Sequence, residues 1–237
     1  MGHSKDGWPY GRVRILTELM AMPPAQTMPG AAPSPAVSRV KKGLLVAGIG
    51  VILASILHLF SPVGWVIGGI VLVVGSALVF SRRSAWPAHQ GSVTAGFGMI
   101  IVGYIIGVIA DVLDPRAFIV PLNVLTTVDA IQYALIAQLV AGVVTEIGVL
   151  VLPWRLASGR SKGLIAAGAG LSIVGFLAIA VLELGVLGVA GGSVTPDQRT
   201  ALLTAATIGT FVGGIMGGVG YFLARGRLPV AAPATAM

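Results

Sequence analysis

The sequence predicts an all-α integral membrane protein, with six transmembrane helices arranged as three tandem parallel-repeat helical hairpins. Three observations predict it: six long apolar runs, a one-sided distribution of lysine and arginine, and a glycine-rich motif that returns twice. Of 237 residues, 56% are hydrophobic, 10% are charged and 34 are glycine, and the mean hydropathy is +0.95. A water-soluble domain does not have this composition. Cysteine is absent, which excludes disulfides, thiolate metal sites and thiol nucleophiles.

Residues 1–40 read as a cytoplasmic tail, which Pro23, Pro24, Pro29, Pro33 and Pro35 keep extended. Within it Val13, Leu16, Leu19 and Met20 fall at helical spacing opposite Arg12, Arg14 and Glu18, so a short interfacial helix is the alternative. No cleavable signal peptide is expected, because the first apolar segment begins only at Gly43. The stretch KKGLLVAGIG, residues 41–50, has the look of a phosphate loop but no strand before it, and that context is what a phosphate loop needs. Residues 43–60 are apolar or small except Ser55 and His58. About 20 such residues, at ~1.5 Å each, match a hydrocarbon core of roughly 30 Å. Further runs at 62–80, 93–112, 128–152, 163–184 and 203–224 complete six spans, separated by prolines, glycines and charges. The membrane domain is expected over 41–228, with a cytoplasmic C-terminal tail at 229–237.

Thirteen of the 15 lysines and arginines fall on one side of these spans, and only Arg116 and Arg199 on the other. Cytoplasmic flanks retain basic residues, so both termini are expected in the cytoplasm and the protein in the cell membrane. The net charge of +7 and pI near 10.4 then follow from topology. Anionic lipid head groups are the expected counter-charge, and no nucleic acid is needed.

The opening motif recurs at 89–98 and 161–170, aligning Gly43 with Gly91 and Gly163, Ala47 with Ala95 and Ala167, and Gly50 with Gly98 and Gly170. These columns define repeats at about 41–83, 89–155 and 161–227, the last two offset by 72 residues without a gap. Inverted halves are not what such offsets describe. On a helix each set makes a small-residue stripe, and small stripes let backbones approach in lipid. The nine residues are therefore expected to be packing surfaces between helices.

Glu146 is the one acidic residue well inside a span, about 9 Å from the inner end. Its repeat counterparts are Val73 and Gly218, so the repeat does not need a carboxylate there. An unpaired buried carboxylate is costly, so Glu146 must be protonated or face water. It is the candidate proton or ion site, with Gln138 and Thr145 lining the path. A neutral acid bonded to a neighbouring helix is the simpler reading. At the outer rim His58, Asp111, Asp129 and Glu183 come from four spans and could converge on a cation, or stand as solvated charges. No metal site or cofactor is expected: His58 has no second histidine on its side for a haem, since His3 and His89 lie opposite. Catalytic constellations are absent, so the chain leans away from enzymes.

A glycine-rich first helix followed by a carboxylate in a second, carried here by Gly43 to Gly50, its two copies and Glu146, resembles the proteolipid of rotary ATPases. That likeness would imply proton or sodium translocation. The basic flanks place the N-terminus opposite to that family's, and two of the three hairpins lack the acid, so the likeness ends with the pattern. Two functions follow from the residues. The first is a non-enzymatic accessory or scaffold subunit of a larger membrane complex, in contact with other membrane subunits or a second copy. The alternative is a small transporter or proton/cation-translocating protein using Glu146.

Overall fold

In lipid a chain must satisfy its own backbone hydrogen bonds, and long apolar runs therefore become helices. The computed structural model describes residues 34–60, 64–113, 128–186 and 195–228. Residues 1–33 of the proline-rich tail, with the interfacial helix expected there, and residues 229–237 lie outside them. Six helices follow in order: α1 Pro35–Phe60, α2 Gly64–Phe80, α3 Gln90–Leu113, α4 Val128–Trp154, α5 Arg160–Val186 and α6 Pro196–Gly226. No strand occurs among the described residues. All but α2 are long and apolar enough to cross a membrane. At 17 residues, α2 spans about 25 Å.

Local chemistry sets the ends. α1 starts eight residues ahead of the expected span and takes Lys41 and Lys42 into the helix, because Pro35 lacks only an N–H that no first turn uses. α6 starts early on a capping box: Gln198 N donates to Thr195 Oγ1 at 3.3 Å, and Thr195 N donates to Gln198 Oε1 at 3.2 Å. Between α4 and α5 the chain reverses at Gly159, whose φ of +50° suits glycine. The Ser161 hydroxyl closes that turn, donating to Ser158 O and accepting from Ser158 N.

The helices form a ring in chain order, closed by α6 against α1, and the closest pairs are α1 with α2, α3 with α4, and α5 with α6. Within these pairs glycines meet backbone. Gly43 lies against Val79, Gly50 against Leu72, Gly68 against Ala54 and Gly64 against Leu57, so α2 descends as α1 rises. Gly96 and Gly148 seat α3 on α4 in the same way, and Gly168 and Gly213 seat α5 on α6. Between pairs, side chains fill glycine notches: Tyr104 against Gly69, Phe176 against Gly142, Phe222 against Gly48. A cluster of buried residues including Leu44, Val79, Leu152, Ile165 and Tyr221 fills the end of the ring that carries the arginines and lysines. There Arg83 lies 3.9 Å over the Phe80 ring and Lys162 5.4 Å over Trp154.

Two expectations change. Gly43, Ala47 and Gly50 pack against α2 as expected. The matching residues Gly91, Ala95, Gly98, Gly163, Ala167 and Gly170 are exposed, and among the described residues nothing lies within 4 Å of a Cβ built at any of the four glycines. α3 and α5 each carry a second small face, Gly96 with Gly103 and Gly168 with Gly175, and those faces take the contact with α4 and α6. The 72-residue register also slips. Gly96 abuts Leu152, whose equivalent is Ala224, but Gly168 abuts Gly213 and Gly217. α6 carries glycines where α4 has Ala141 and Thr145, and the pair seats two turns away on its smallest surface.

Gly68→Ala forces a methyl onto the Ala54 backbone, an overpacking that costs roughly 1–3 kcal/mol. Gly170→Ala opens into free space and gains helix propensity. Thermal unfolding in mild detergent, followed by circular dichroism, is expected to show a lowered Tm for the first variant only.

Candidate functional site

A cavity of about 510 Å³ opens inside the ring, where Tyr104 at Gly69 and Phe176 at Gly142 separate neighbouring pairs while α1 and α6 also meet backbone to backbone at Gly48 and Gly218. All six helices line it, and on α4 the lining runs from Leu135 down to Val149, into the half nearer the basic end. The exposed His58 and Leu59 mark its margin. Its floor is formed by Leu72, Ile100 and Val149, which belong to the apolar cluster. Among the described residues no lysine or arginine lines it.

The upper polar cluster centres on Asp111 of α3, which is 7% exposed. It accepts the indole N–H of Trp65 (α2) at 2.6 Å and the amide N–H of Gln138 (α4) at 2.8 Å. Charge-assisted bonds of this length are strong ones. Trp65 stands edge-on to Tyr104, with ring centroids 5.5 Å apart, and the Tyr104 hydroxyl donates to Val66 O. One carboxylate thus ties three helices together. Beside α6, Glu183 accepts Arg199 Nη2 at 3.1 Å.

Glu146 lies eight residues beyond Gln138 on α4, about 12 Å deeper along the helix. It faces the cavity together with Thr145, whose hydroxyl occupies the notch of Gly103. Ser172 of α5, itself 1% exposed, lies beside the Glu146 carboxyl. Tyr221 stands below. Pro153 has no N–H, so the Val149 carbonyl lacks its ordinary donor one turn on. The Tyr221 hydroxyl, wholly buried, supplies it at 2.7 Å.

Comparison with protein families, characterised proteins and solved structures finds no match. The site alone therefore carries the function. Gln138, Thr145 and Glu146 all line the cavity, although the Gln138 amide is committed to Asp111. Of the rim quartet, His58, Asp111 and Glu183 line the same cavity, while the Asp129 side chain lies outside the described residues. Asp111 is not a solvated rim charge: it is buried and held by two donors from neighbouring helices. Among the described residues no three His, Asp or Glu side chains are grouped to hold a metal.

Trp65, Phe176, Ser172 and Tyr221 were not singled out by sequence. Trp65 and Tyr221 carry a signal in retrospect, since a polar N–H or O–H on an aromatic inside an apolar span needs a partner.

Tyr221→Phe leaves the Val149 carbonyl without a donor and should cost roughly 1–2 kcal/mol. In a Pro153→Ala background the helix regains an N–H at that position. A double-mutant cycle read by thermal unfolding should then find most of the Tyr221→Phe penalty gone.

Proposed function

We propose that this is a multi-pass cell-membrane protein with both termini in the cytoplasm, and that it translocates protons or small cations through Glu146. The observation that carries the proposal is a cavity that begins at the base-poor end of the ring and reaches a carboxylate that no basic side chain among the described residues meets. An uncompensated carboxylate at that depth attracts a cation from its open side. The apolar floor of Leu72, Ile100 and Val149 closes the opposite side, as a translocating protein needs when only one face has access. Supporting the orientation, Arg83 and Lys162 sit over aromatic rings at the basic end, where anionic head groups would meet them.

The arrangement as three tandem hairpins of one polarity is part of the same reading. The three close helix pairs and the repeated glycine columns support it, and the slipped seat of α6 on α5 marks how far the third has departed.

One observation favours the accessory-subunit reading. The stripes at Gly91, Ala95 and Gly98 and at Gly163, Ala167 and Gly170 face away from every helix of this chain, and small stripes are how helices meet in lipid. Migration as a lone protomer after native purification in mild detergent would count against it.

In proteoliposomes loaded with a pH-sensitive dye, the full chain should carry a proton or monovalent-cation flux. Glu146→Gln is expected to reduce it to the level of empty vesicles, and Glu146→Asp to leave a part of it. Unchanged flux in Glu146→Gln would remove the carboxylate from the mechanism.

A further inference from the structure

Three cavity carboxylates differ in what already holds them. Asp111 is taken by the Trp65 and Gln138 donors, and Glu183 by Arg199. Glu146 has the Ser172 hydroxyl beside it and Tyr221 below, and no ion pair holds it among the described residues. It is the acid with room for an incoming donor.

The space above it is far larger than a proton or a bare metal ion requires. About 510 Å³ falls in the range of pockets that take drug-sized molecules, roughly 300–1,000 Å³. Beside the hydroxyls of Ser55, Thr207 and Thr210, the side chains of Leu135, Leu139, Phe176, Ile179 and Phe211 line it together with Trp65. Apolar walls hold an apolar body, aromatic faces attract an organic cation, and a single open carboxylate balances one positive charge.

We propose that the cavity binds a monovalent organic ammonium ion with an apolar body, its cationic nitrogen at Glu146 and its hydrocarbon part among Trp65, Phe176 and Phe211. This names a ligand class for the site proposed above and rests on that reading. Trp65 has its indole N–H fixed on Asp111, so its ring face is preset for the ligand. Preset contacts cost little ordering entropy on binding.

The test uses the full chain in mild detergent and radiolabelled benzyltrimethylammonium, whose charge is permanent. Saturable binding is expected, weakened by on the order of tenfold or more in Glu146→Gln and by a smaller factor in Phe176→Ala. A second measurement needs no variant: a hydrophobic carbodiimide labels Glu146 in the unaltered protein, the adduct is located by mass spectrometry, and benzyltrimethylammonium should slow its formation. Absence of saturable binding, undiminished binding in Glu146→Gln, or labelling indifferent to the ion would each overturn the proposal. Proton flux that depends on Glu146 without binding of the organic ion would leave the translocation reading standing and remove this ligand class. Binding at Glu146 without any flux would keep the ligand site and remove translocation.

Discussion

The structure depends on backbone meeting backbone at glycine. Lipid tails are as apolar as leucine, so no hydrophobic force draws one helix to another, and close dispersion contact must do it. Gly50 on Leu72, Gly96 on Leu152 and Gly168 on Gly217 supply that contact within three helix pairs. Two junctions between pairs are filled by rings in glycine notches, Tyr104 at Gly69 and Phe176 at Gly142, whereas α1 and α6 also meet backbone to backbone at Gly48 and Gly218. Tight pairs joined by bulky side chains cannot close a ring of six on its axis. The cavity is the consequence.

Polar chemistry then divides that cavity by depth. Asp111, Trp65 and Gln138 satisfy one another and bind α2, α3 and α4 near its margin. At the floor, a proline that removes one helical donor is matched by a tyrosine that restores it, so the Val149 carbonyl is paired although it is buried. The seal below the cavity therefore carries no unmet polar group at Val149. Glu146 stands between the two arrangements, on the wall of the chamber.

Much of the fold was legible in the chain. Apolar runs and their charged breaks locate all six helices, although the ends of α1 and α6 moved by a turn or two where Pro35 and the Thr195 capping box extend them. The choice of packing face was not legible. α3 offers Gly91, Ala95 and Gly98 on one side and Gly96, Gly103 and Gly107 on another, and both satisfy the same small-residue rule. Only the position of α4 selects between them. Glu146 stands out in the sequence as a carboxylate inside an apolar span, an exception to its own repeat. The burial of Asp111 was not legible because its donors sit 46 and 27 positions away.

By itself the sequence determined what depends on transfer from water to lipid: that the chain forms apolar helices, how many, and which of their ends are basic. These follow from the polarity of each segment, and every helix satisfies its own backbone. The tertiary structure alone decided which glycines are seats, how far α6 slides along α5, and which donors hold Asp111 and Glu183. Each of those depends on a contact between residues far apart in the chain, where a few ångströms of helix displacement exchange one partner for another.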